Sequence, residues 1–163
     1  MTACVWLTAC LPAAAQDDPR TTLRGLQGLR VVLAELVPEL EARGITSDVV
    51  LAEVHLQLRK ARIPILAENA RKPAPGDPAL YVEVLANVHP TFDQCSFSVR
   101  LEVQQTARLD RDRKLPPARV VTWSTGGIGE AGKDWRTILR EELASYVGTF
   151  VRAYVEANPP SPN

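Results

Sequence analysis

Ten consecutive residues decide most of what this chain can become. From Cys95 through Ser96, Phe97, Ser98, Val99, Arg100, Leu101, Glu102 and Val103 to Gln104, apolar and polar side chains alternate without a break. Successive side chains of a strand point to opposite faces, so the pattern predicts one face on a core and the other toward solvent. That one-sidedness belongs to antiparallel sheets, whereas parallel sheets are covered on both faces. The strand therefore needs sheet partners and a single covering layer.

The other elements are read around it. Leu26, Leu29, Leu33, Leu36 and Leu40 recur at helical spacing, yet the β-branched run within 29–37 and Pro38 behind it predict a strand ending there. Ser47 is the expected N-cap, with Asp48 in the first turn, of a helix running to about Arg62. Its buried stripe is Leu51, Val54, Leu58 and Ala61. Pro64 stops it, and residues 63–66 offer a short edge strand. Residues 71–78 are dense in proline and turn residues and read as a surface loop.

Residues 80–88 predict the second strand, and 89–94 a turn into the alternating one. The stretch 108–114 carries both charge signs and reads as a solvated hairpin tip, from which Arg119–Ser124 returns. A glycine-rich loop follows. Leu139, Leu143, Tyr146, Val147, Phe150 and Tyr154 then mark one face of a helix from about Asp134 to Ala157. The order β-α-β-β-β-α predicts an α+β two-layer sandwich, a mostly antiparallel sheet of about four strands with two helices on one face. It forms a single domain over 25–158, behind a polar leader at 16–24 and ahead of a loose tail at 159–163.

Residues 1–15 are uncharged, mostly small or apolar, and give way abruptly to Gln16, Asp17 and Asp18. They read as an export signal, which places the protein in the periplasm or outer envelope of a bacterium. Two processing sites fit. Ala13, Ala14 and Ala15 suit cleavage ahead of Gln16, whereas Leu7-Thr8-Ala9-Cys10 resembles a bacterial lipobox, which removes residues 1–9 and lipidates Cys10. The basic n-region is missing, which points to a start further upstream. A stretch this short does not span a bilayer, which needs roughly 20 apolar residues.

Nineteen basic and nineteen acidic residues balance. A neutral chain lacks the basic excess of a nucleic-acid binder and has no electrostatic attraction to an anionic membrane. Membrane contact is expected only through a lipid at Cys10. With Cys4 and Cys10 in the signal, Cys95 stands alone, so no internal disulfide is expected and the thiol is read as a buried strand residue.

One motif invites a nucleotide reading. Gly127, Gly129 and Gly132 match GxGxxG, and with Lys133 they extend to GxxxxGK between a predicted strand and helix. The position after the lysine is Asp134 instead of the Ser or Thr that reaches Mg²⁺, and no second strand follows to complete a dinucleotide fold. The expected role is a flexible connection with positive-φ glycines and Asp134 as N-cap. Trp123 and Trp135 flank this loop; with Gly127, Gly129, Gly132 and Lys133 they are the candidate lining of a shallow ligand pocket. His89, Asp93 and Cys95 are metal-capable types, but alternation turns Cys95 inward and no metal is expected. Ser124 lacks the glycine of a nucleophile elbow, and His55 sits beside the helix stripe. No catalytic residue and no cofactor is expected.

This element order behind an export signal resembles small envelope modules, namely the lipopolysaccharide-assembly lipoprotein LptE and the N-terminal domain of TolB. The resemblance rests on element order alone, so no functional residue is carried over; it implies a non-enzymatic partner-binding or scaffold role. The leading expectation is a non-catalytic interaction module that binds an envelope component through the polar sheet face, an exposed edge strand or the glycine loop. The alternatives are a small-ligand or lipid carrier using a pocket near Trp123 and Trp135, and a small hydrolytic enzyme drawing on His55, His89 or Lys133.

Overall fold

In the computed structural model, residues 18–67, 74–89 and 91–159 are described. The export signal with Cys10, the start of the leader and the chain after Pro159 lie outside the described residues. Four strands, β1 (Arg30–Leu33), β2 (Ala79–Val88), β3 (Cys95–Ala107) and β4 (Ala118–Ala131), form one sheet in the order β1-β2-β3-β4. β1 pairs parallel to β2, and the other two pairings are antiparallel. Helices α1 (Pro38–Glu41), α2 (Ser47–Lys60) and α3 (Trp135–Ala157) complete the α+β fold, with a 3₁₀ turn at Pro19–Leu23.

The alternation in β3 has the expected consequence. Cys95, Phe97, Val99, Leu101 and Val103 are buried, and across β2 they meet Val88, Ala86, Val84, Val82 and Leu80. α3 lies over β3 and β4, and α2 packs beside it over β1. Gln57 joins the two helices, donating to the Ala144 carbonyl at 3.1 Å. The sheet's other face has no covering element among the described residues. No described helix is long and apolar enough to cross a membrane.

Local expectations shift in instructive ways. β1 stops at Leu33, and Pro38 opens helix α1, where its fixed φ suits the first position and its missing N–H is not needed. Thr46, not Ser47, caps α2 by accepting from the Val49 N–H at 3.4 Å. The buried stripe is Val50, Val54 and Leu58, four residues apart, with Leu51 and Ala61 only partly covered. The short edge contact after α2 reduces to a parallel bridge between Leu29 and Ile65.

The largest difference is in β4. The expected glycine loop is strand, so Gly126, Gly127 and Gly129 lie within the sheet. Opposite Thr122 the register slips by one residue: Trp123 pairs with Val103 and Val121 with Gln104, leaving Thr122 unpaired in a bulge. Beyond it the period-two pattern continues inward through Trp123, Thr125, Gly127, Gly129 and Ala131. Glycine supplies no apolar signal to read, and its neighbours explain its use. A side chain at Gly127 would strike the Tyr146 hydroxyl, and one at Gly129 would meet the Phe97 ring at 2.5 Å. The aromatic rings fill the space that β4 leaves empty.

Candidate functional site

The structure separates the residues that sequence brought together. Gly127 and Gly129 belong to a strand rising about 3.3 Å per residue, so Gly127 and Gly132 are some five residues of extended chain apart. They do not curl into one phosphate-holding concavity. At the strand-to-helix corner the Trp135 N–H donates to the Gly132 carbonyl at 2.9 Å, while Lys133 and Asp134 are exposed. Asp134 occupies the N-cap position without a side-chain capping bond.

Trp123 and Trp135 do not share a pocket. Trp123 packs edge-on against Phe150 at 5.3 Å, whereas Trp135 opens α3 fifteen residues earlier, about 22 Å along the axis. Trp135 is fully buried and its indole N–H donates to Asp93 at 3.2 Å, with the Arg136 guanidinium 4.8 Å from the ring. Phe97, Val99, Val147 and Phe150 are buried in the layer between the sheet and α3. Both tryptophans are core residues at opposite ends of one helix.

The candidate reactive groups are spread over different elements. His55 lies on α2, while the exposed His89 ring accepts the Thr91 and Phe92 N–H groups in the β2–β3 turn, at 3.2 and 3.0 Å. Ser124 is exposed on β4. Among the described residues, no hydrogen bond joins any two of His55, His89, Ser124 and Lys133, and no group of three acidic, His or Cys side chains is placed to hold a metal. Asp93 is engaged by Trp135, and Cys95 is buried. Burial pushes the Cys95 thiol above its ordinary range, against smaller opposing effects of Arg43 and of an Asn87 backbone contact.

What the fold assembles instead is the uncovered sheet face. Cross-strand rows run over it: Tyr81, Glu102 and Ser124; Glu83, Arg100 and Gly126; Leu85, Ser98 and Ile128. Arg100 lies 3.7 Å from Glu83 and 3.4 Å from Glu102, one guanidinium between two carboxylates. Gly126, with φ +158° and the Val99 carbonyl in the place of a β-carbon, lines a depression of about 390 Å³ with Arg100, Glu102, Ser124 and Ile128. Ile128 stands 89% exposed at its border, and Leu85 and Val121 are half-exposed on the same face.

The outer edge of β4 completes this surface. Among the described residues no strand pairs with it. A groove of about 350 Å³ runs beside Trp123, Ser124 and Thr125, between the edge, the 3₁₀ turn and the Thr149 and Arg152 side of α3. Sequence reading missed Gly126 and Ile128, because Thr125, Gly127 and Gly129 give no apolar residues for them to alternate with. No protein-family model matches the chain, and no curated protein matches it significantly.

Proposed function

We propose that this protein is a non-catalytic interaction module of the bacterial envelope, exported by its N-terminal segment, and that β4 with the adjoining open sheet face is its working surface. The observation that carries the reading is the 14-residue β4, unpaired along its outer edge among the described residues and bearing the most exposed large apolar side chain there, Ile128. Edge strands bind partners through backbone N–H and C=O groups, and proteins that avoid such pairing place Lys or Pro along the edge. β4 has neither, and its charges lie near its ends, at Arg119 and Glu130. Trp123 and Trp135 line no common pocket, and His55, His89 and Lys133 lie on separate elements, so the carrier and hydrolase readings draw less support from the described residues than the interaction reading does.

The test compares native mass in envelope extracts of a Gram-negative exporting host. The native chain is expected to migrate in an assembly larger than the monomer, and Ile128→Glu to release it with the melting temperature unchanged. A monomeric native chain, or an assembly indifferent to Ile128→Glu, contradicts the reading. Intact mass from the same host separates a soluble form starting at Gln16 from a membrane form starting at acylated Cys10.

A further inference from the structure

The 3₁₀ turn at Pro19–Leu23 packs against both β4 and α3. We infer that residues 18–25 form a strap, hinged at Gly25 and clasped by Asn158, that opens as a unit while the rest of the domain stays folded. The turn holds its own shape. Asp18 caps it by accepting from the Arg20 N–H at 3.0 Å, and the Thr21 hydroxyl donates to the Asp18 carbonyl at 2.7 Å. Behind the turn the backbone bends through two positive-φ glycines, Gly25 at +78° and Gly28 at +143°. A side chain at Gly28 would strike the Pro64 carbonyl at 2.7 Å, and the Leu29 N–H donates to that same carbonyl at 3.1 Å, so the chain is anchored from there on. A side chain at Gly25 would meet nothing within 4 Å, which leaves this glycine free to act as the pivot.

Side chains of the body hold the strap shut, mostly by bonding its backbone. Asn158 accepts from the Gly25 N–H through Oδ1 at 2.7 Å and donates through Nδ2 to the Leu23 carbonyl at 2.9 Å. The Tyr154 hydroxyl donates to the Leu26 carbonyl at 2.5 Å, and the Gln105 amide to the Thr22 carbonyl at 3.1 Å. The Thr22 hydroxyl shares its proton between the Pro19 carbonyl at 2.7 Å and the Thr122 carbonyl in the β4 bulge at 2.8 Å. Leu23 is the one buried side chain of 18–25, and the ion pair of Arg20 with Glu156 is solvent-exposed and adds little. A single apolar anchor and a few hydrogen bonds mark a segment that opens at less cost than global unfolding. Closed, the strap fills the side of β4 at its bulge. Open, it bares the Leu23 socket and the Thr122 carbonyl; as a control on the surface proposed above, and in that use only, it rests on the interaction reading.

The experiment is native-state hydrogen exchange on the purified, host-processed protein over a series of low urea concentrations. The Gly25 amide, bonded to Asn158, and the Leu26 amide, bonded across the pivot to the Leu23 carbonyl at 3.3 Å, report the strap. The amides of Val99–Val103 in the central strand β3 report the whole molecule. The strap amides are expected to be protected, yet to exchange about a hundredfold faster than those of β3 and with little dependence on urea, since opening exposes little surface. Asn158→Ala removes two bonds to the strap and should speed Leu26 exchange about tenfold or more. Val54→Ala thins the core under α2, which packs on α3 and β1; it should speed β3 exchange by about tenfold and leave the strap rate unchanged. Strap and β3 amides that share one rate and one urea dependence, or a strap that Val54→Ala accelerates as much as β3, overturn the inference. Unprotected strap amides, or a Leu26 rate indifferent to Asn158→Ala, overturn it too. None of these readouts needs a partner. An envelope assembly indifferent to Ile128→Glu would end the interaction reading and leave the strap, whereas a strap that opens only with global unfolding would end the strap and leave that reading.

Discussion

Gly126 is held by two independent constraints, a backbone angle that L-residues rarely adopt and the Val99 carbonyl standing where a β-carbon would have to go. Gly126→Ala is expected to destabilise the protein by about 2–4 kcal/mol in chemical denaturation. Gly127 is held differently, by the Tyr146 hydroxyl, the far end of a side chain. Gly127→Ala should therefore cost less, about 1–2 kcal/mol, and Tyr146→Phe should recover about half of that in a double-mutant cycle. Additive losses would place the constraint elsewhere. Tyr154 makes the alkaline side of the stability curve readable. Burial raises its phenol above 10.0, and the hydroxyl donates to the Leu26 carbonyl at 2.5 Å. The unfolded phenol ionises first, so this stabilisation is complete below about pH 10 and is lost as pH rises through the higher folded value. Tyr154→Phe should flatten that alkaline decline in a melting-temperature profile; an unchanged profile assigns the decline to other groups.

At the scale of elements, capping tests how the helices start. Thr46→Ala removes the bond to Val49 and should cost α2 about 0.5–1 kcal/mol, while Asp134→Ala, which removes no capping bond, should stay within about 0.5 kcal/mol. Equal losses would mean that Asp134 caps α3 in solution. β3 was legible because its apolar and polar residues alternate through all ten positions from Cys95 to Gln104. β4 was legible only as far as Ser124, since glycine carries no hydrophobicity by which to judge its face. The bulk that makes Gly127 and Gly129 inward-facing belongs to Tyr146 and Phe97, nineteen residues later and some thirty earlier. The first strand was overcalled because Leu36 and Val37 are apolar for core contact without strand pairing. Ser47 and Thr46 are both good caps side by side, and composition gives no means to choose between them.

At the scale of the whole molecule, the two-layer α+β arrangement followed from element order, and the candidate pocket did not survive it. Order along the chain puts Trp123 and Trp135 twelve residues apart; the climb of β4 and the return of α3 put them at opposite ends of a helix. The same geometry assembles a surface that no local motif announces, because Arg100, Leu85 and Ile128 come from three strands and meet only through register. Among the described residues a helical layer fills the core on one side while the other sheet face and the β4 edge carry no covering strand or helix, the asymmetry on which the proposed interaction role depends.

That role is tested most directly by a photo-crosslinking side chain at Ile128 in the living exporting host, with exposed Arg113 at the hairpin tip as control. The account predicts one discrete adduct from position 128 and none from position 113. Equal labelling at both positions, or no adduct at 128, would contradict it.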